Sequence, residues 1–133
     1  MGKEKLYIYD TTLRDGQQTQ GVQFSTKDKV LIASALNKLK VDYIEGGWPG
    51  ANPTDDEFFS SATEFGSSIL SAFGMTKRPG FSVENDDVLS AVINSGAQAI
   101  CLVGKSNDFH VTNALGVSLE ENLNNIKASM EHL

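Results

Sequence analysis

Leu6-Tyr7-Ile8-Tyr9-Asp10-Thr11-Thr12-Leu13-Arg14-Asp15-Gly16-Gln17-Gln18 runs from a β-branched and aromatic segment straight into an Arg-Asp pair followed by glycine. Residues 6–10 read as a first strand, so the charged pair stands where that strand ends. A carboxylate there is a hard oxygen ligand for a divalent cation. The guanidinium is a fixed fork for an enolate or a carboxylate. Taken alone, Arg-Asp-Gly also describes an ion pair in a surface turn, and the sequence around it has to separate the two.

Outward from this stretch a strand-then-helix unit recurs four times. The first helix starts near Ser25, which with Asp28 approximates a capping box, and its apolar face is Ile32, Leu36 and Leu39. Residues 41–45 form the second strand. A second helix follows Pro53, with Thr54 and Glu57 as a capping pair and Phe58, Ala62 and Phe65 as a buried stripe. A third strand at 69–73 precedes a helix over 86–95, with Val88, Leu89, Val92 and Ile93 inward and Gly96 as a left-handed cap. After a fourth strand at 99–103, Ser118-Leu119-Glu120-Glu121 is a capping box. The helix it starts carries Leu119, Leu123, Ile126, Met130 and Leu133 on one face. Alternating strands and helices mean an α/β fold with parallel pairing through crossovers. Periodicity alone does not separate a doubly wound sheet from a barrel.

At 133 residues the chain is one domain at most. That is about half of the ~250 residues of a (β/α)8 barrel. A net charge of −6 without a basic cluster argues against nucleic acid as a partner. No apolar run is long enough to cross a membrane and no secretory segment is visible, so a cytoplasmic location is expected. The single Cys101 lies in the apolar run Ala99-Ile100-Cys101-Leu102-Val103, which reads as a buried, inert thiol.

Four motifs in order give a resemblance. Asp10 to Gln18 resembles the Asp-Thr-Thr-Leu-Arg-Asp-Gly-x-Gln signature on the first strand of the metal-dependent acyltransferases and lyases that include isopropylmalate, homocitrate and citramalate synthases. Asp42-Tyr43-Ile44-Glu45-Gly46-Gly47-Trp48-Pro49-Gly50-Ala51-Asn52-Pro53 is similar to their second-strand motif in its citramalate-synthase version. Ala72-Phe73-Gly74-Met75-Thr76-Lys77-Arg78 resembles the third strand end. Gly104-Lys105-Ser106-Asn107-Asp108-Phe109-His110-Val111-Thr112 resembles the loop after the fourth. The resemblance chooses the barrel: residues 1–133 would be a (β/α)4 N-terminal half of a TIM barrel, a pyruvate carboxyltransferase-like domain that stops after the fourth unit. One departure is Lys40, which stands after the first helix where relatives usually carry glycine, so a left-handed turn there costs ~1 kcal/mol more.

The resemblance also implies roles. Asp15 is a metal ligand, the alternative being a loop carboxylate that caps amides. Arg14 binds the keto-acid oxygen and stabilises an enolate. Glu45 orients Arg14, or is a strand-end charge in water. Gln18 donates a hydrogen bond in the same pocket. Phe73 is a wall beside the keto acid's small group or plain core, and Trp48 is a second wall. His110 packs and hydrogen-bonds within its loop, whose shape Lys105 and Ser106 help hold. His132 is exposed.

The family's metal site also needs a His-x-His pair, yet this chain has only His110 and His132. One carboxylate leaves a divalent ion (Mn2+, Mg2+ or Zn2+) mostly hydrated, so the site is expected to be incomplete. The resemblance therefore implies a fragment of an acetyl-CoA-dependent acyltransferase of branched-chain amino-acid biosynthesis, condensing acetyl-CoA with pyruvate to citramalate and inactive alone. Isopropylmalate or homocitrate synthases and acyl-CoA lyases are the alternatives within the fold. A reading of another class is a non-catalytic half-barrel that self-associates. In either case the open strand edges and an inner face carrying Ile8, Ile44, Leu70 and Leu102 predict a homodimer.

Overall fold

The computed structural model describes residues 4–61 and 65–133. Four strands, β1 (Tyr9–Asp10), β2 (Tyr43–Gly47), β3 (Ile69–Met75) and β4 (Ala99–Val103), form one sheet in the order β1-β2-β3-β4. Every neighbouring pair is parallel. The intervening helices are α1 (Thr26–Lys38), α2 (Pro53–Ser61) and α3 (Asp87–Ile93), and α4 (Leu119–His132) follows β4. A π-helical turn at His110–Leu115 lies between β4 and α4.

β1 is shorter than the sequence suggests. Leu6, Tyr7 and Ile8 are exposed, and only Tyr9 and Asp10 pair in register, with Tyr43 and Ile44. β2 starts two residues later than expected because residues 40–41 are needed to end α1. The Lys40 amide donates to the Asn37 carbonyl and the Val41 amide to the Leu36 carbonyl. This double closure requires a left-handed residue, and Lys40 adopts it at φ 61°. Val41 and Leu36 then pack in the core, while Leu39, expected on the buried face, is 76% exposed.

The Ser25–Asp28 capping box forms as read from the sequence. The expected Thr54–Glu57 pair does not: the Asp55 amide donates to Asn52 Oδ1, and Glu57 instead accepts from Thr26 Oγ1. Phe58 is buried in α2, Phe65 is buried beyond its end, and Ala62 lies outside the described residues. Asp86 caps α3, with Leu89 and Val92 buried and Val88 and Ile93 half-buried, and Gly96 follows in the left-handed conformation.

The core lies between the sheet and its helices: Ile44, Leu70 and Ala72 pack with Ala33, Phe58, Phe59 and Val92. This corrects the expected inner face. Successive strand side chains alternate sides, so Ile44 and Leu70 point to the helices, Leu102 packs beside them, and Ile8 precedes the strand. The opposite face carries Tyr9, Glu45, Ser71, Phe73 and Cys101. Cys101 is half-buried there, not enclosed.

The apolar face of α4 is turned mostly outward, with Ile126 alone of its five residues half-buried. Leu119, Leu123, Met130 and Leu133 are at least half exposed, whereas Asn122, Asn125 and Ser129 are buried. The segments leaving β3 and β4 present backbone polar groups, and α4 satisfies them. The Lys77 amide donates to Ser129 Oγ (2.8 Å) and Asn122 Nδ2 donates to the Lys105 carbonyl (2.9 Å).

Candidate active site

The turn after β1 is built to present Arg14. Asp10 accepts from the Thr12 amide (2.9 Å), and the Thr11 carbonyl accepts from the amides of Arg14, Asp15 and Gly16. Leu13, fully buried, pins the turn to the body of the protein, so the next side chain emerges at the strand ends. Arg14 Nε donates to Glu45 Oε2 at 2.5 Å, and Nη1 pairs with Asp15 Oδ1 at 2.7 Å. The flat guanidinium lies 4.0 Å over the Phe73 ring, which meets Trp48 edge-on at 5.3 Å between centroids. Arg14, Asp15, Glu45 and Phe73 thus form one cluster at the carboxyl ends of β1, β2 and β3.

Glu45 is 1% exposed, so its charge needs partners. Arg14 is one and Tyr9 is the other, its hydroxyl donating to Glu45 Oε1 at 2.9 Å. Ser71 Oγ stands 2.9 Å from the same phenol. Desolvation of the Tyr9 hydroxyl, reinforced by the Glu45 carboxylate, pushes its pKa above the ordinary phenol value and keeps it a donor. Tyr9 and Ser71 were missed in the sequence because neither belongs to a motif. Strand alternation from Glu45 would have placed Ser71 on this face.

Gln18 is not part of the cluster by any hydrogen bond. It is exposed at the end of a 3-10 turn (Gly16–Gln18), and its side chain has no hydrogen-bond partner among the described residues. His110 is exposed as well and contacts Phe109 edge-on, and its ring has no hydrogen-bond partner among the described residues.

Asp15 offers a metal little by itself. Its side chain is 52% exposed and one oxygen is committed to Arg14. Among the described residues no three His, Cys, Asp or Glu side chains converge. The donor set present does not fit a divalent cation.

The HMGL-like family model matches residues 5–133. The chain belongs to the HMGL-like family. Among similar proteins, the (R)-citramalate synthase of Aquifex aeolicus is 49% identical over 132 residues, covering 98% of this chain and 25% of that enzyme. The one from Streptomyces coelicolor is 45% identical over 133 residues, with the same coverages. The 2-isopropylmalate synthase 1 of Caldanaerobacter subterraneus is 33% identical, covering 91% of this chain and 30% of that enzyme. This HMGL-like chain therefore spans about a quarter of the length of these citramalate synthases. The HMG-CoA lyase of Bacillus subtilis superposes with a TM-score of 0.72 at 18% identity, covering 98% of this chain and 43% of the lyase. The fold is thus part of a TIM barrel, and the Arg14 cluster lies at the carboxyl ends of its strands, where barrel enzymes build their sites.

Proposed function

We propose that this chain supplies the keto-acid-binding part of an acetyl-CoA-dependent acyltransferase of citramalate-synthase type, with pyruvate as the keto acid. The observation that carries the reading is Arg14, held by Glu45 and Asp15 at its edges and by Phe73 on its face. A guanidinium fixed in this way is oriented before any ligand arrives, and its remaining N–H groups are free to meet an oxyanion. A base from outside this chain takes a methyl proton from acetyl-CoA, the enolate attacks the keto carbon, and Arg14 stabilises the negative charge on the keto oxygen until it is protonated. Water then cleaves the thioester and releases CoA. Glu45 keeps the fork aligned, and Phe73 and Trp48 wall the space for a small methyl group. Asp15 would give one carboxylate to a divalent cation only if further ligands from outside this chain completed the site. Isoleucine or leucine biosynthesis is the setting this chemistry suits.

Identity of 42–49% to (R)-citramalate synthases, against 32–33% to 2-isopropylmalate synthases, supports pyruvate over a branched keto acid. The test is to graft this chain in place of the matching segment of the Aquifex aeolicus relative and compare the two keto acids. Preference for pyruvate is expected; preference for the branched acid would replace the reading with an isopropylmalate-type one.

A second reading rests on the outward apolar stripe of α4 and the one-sided edges of β1 and β4. These suit a chain that self-associates as a homodimer without catalysis of its own.

A further inference from the structure

Beneath the β2 exit lies a buried ion pair that the proposed chemistry does not use. Lys29 of α1 is fully buried and Asp55 of α2 is 3% exposed. Lys29 Nζ donates to Asp55 Oδ1 and, at 2.9 Å, to the Gly46 carbonyl. Asp55 Oδ2 accepts from the Trp48 amide at 2.8 Å and from Asn52 Nδ2 at 2.9 Å. The pair therefore grips the chain on both sides of Gly47, immediately after Glu45. The ladder between β2 and β3 slips between Glu45 and Gly47, and such a bulge re-aims the neighbouring side chains. The two glycines are fitted to this arrangement. A Cβ on Gly47, at φ 147°, would sit 2.5 Å from Asp55 Cγ, and one on Gly46 would sit 2.6 Å from the Phe58 ring.

We infer that Lys29 and Asp55 are positioning residues for Arg14, acting through the backbone of residues 45–48. Two routes lead from the pair to the guanidinium. One runs through Gly46 to Glu45, which holds Arg14 Nε. The other runs through Trp48 to Phe73, on whose face Arg14 lies. Stability alone gives a weak reason for burying charge here, because an apolar pair of similar volume is often as stable or more so. What an apolar pair cannot do is satisfy the Gly46 carbonyl and the Trp48 amide at fixed positions. The functional weight of the inference rests on the reading of Arg14 as the keto-acid ligand, while its structural content does not.

The test exploits that difference. In the double variant Lys29→Met with Asp55→Leu, and separately in Asp55→Asn, two ligand-free signals are followed beside cooperative unfolding. One is hydrogen exchange of Arg14 Nε–H by NMR. The other is quenching of Trp48, the only tryptophan in the chain. The expected result is retained folding with Arg14 Nε–H exchange faster by about tenfold, as for losing one charge-assisted hydrogen bond, and with Trp48 more open to quencher. Unchanged Arg14 and Trp48 signals in a folded variant would overturn the inference. So would failure of both variants to fold, which would make the pair a requirement of the fold alone. Titrating pyruvate into the wild-type chain separates the two claims. An Arg14 signal blind to pyruvate counts against the proposed function and leaves the effect of the pair on Arg14 standing.

Discussion

Arg14 touches two carboxylates through two different nitrogens and an aromatic ring through its face, a geometry that a point charge does not reproduce. In the grafted enzyme, Arg14→Lys is expected to lower kcat/KM by on the order of 10²–10³, the usual loss for a preorganised oxyanion donor. Glu45→Gln keeps the shape but weakens the orientation, and a smaller fall of about 10–100-fold is expected. Equal losses for the two would argue that Glu45 does more than orient. At Lys40 the prediction concerns stability. A left-handed residue with a Cβ is strained, so Lys40→Gly is expected to raise stability by ~1 kcal/mol, read as a higher denaturant midpoint at unchanged slope. These residues differ in how visible they were. Arg14, Asp15 and Glu45 stand in motifs. Lys29, Tyr9 and Ser71 act through partners 17 to 62 positions away, and nothing local in the sequence announces such a contact.

Among the elements, α3 shows how a helix start is tied to a strand exit. Asp86 accepts from the Val88 and Leu89 amides, and also from the Arg78 amide (2.7 Å) and Nε (3.0 Å). Burial alone would raise its pKa, but these Arg78 bonds outweigh it and hold the carboxyl below the usual value. Because protonation is disfavoured in the folded state, the contribution of Asp86 is present above the unfolded value of about 4 and is lost as pH falls through the lower folded value. Asp86→Asn is expected to unfold more easily near neutral pH, with the gap to wild type closing on acidification. A gap independent of pH would show that the charge is immaterial. Helix capping was legible where the motif is local, as at Ser25–Asp28, and misread where a neighbouring residue competes, as when Asn52 takes the Asp55 amide. The face of α4 was misread because a helical stripe reports which residues stand together, not whether that side is covered. Here Asn122 and Ser129 answer backbone groups, and the leucines are left outward.

For the whole molecule, the four parallel units and their order were legible from alternation and motifs, but the sidedness of the sheet was not. Glu45 on the site face forces Ile44 to the helices, so the inner face is more polar than expected and contributes less apolar surface to any assembly. The outward stripe of α4 is the larger apolar surface left in water. Leaving Leu119, Leu123, Met130 and Leu133 in water forgoes up to ~1.5–3 kcal/mol for each side chain that could be fully buried. A dimer through this stripe is expected by sedimentation at micromolar concentration, with Leu123→Glu shifting it to monomer while the fold is retained. A monomeric wild-type chain with cooperative unfolding would remove self-association.

The claim that this chain holds a prepared but incomplete site meets its most direct test in CoA release. Acetyl-CoA, pyruvate and manganese are supplied to the isolated chain and to the grafted enzyme, and free thiol is followed with a chromogenic disulfide reagent. No release by the isolated chain, release by the graft, and loss of that release with Asp15→Asn are expected. Release by the isolated chain that Asp15→Asn abolishes, or a graft indifferent to Asp15→Asn, would contradict the claim.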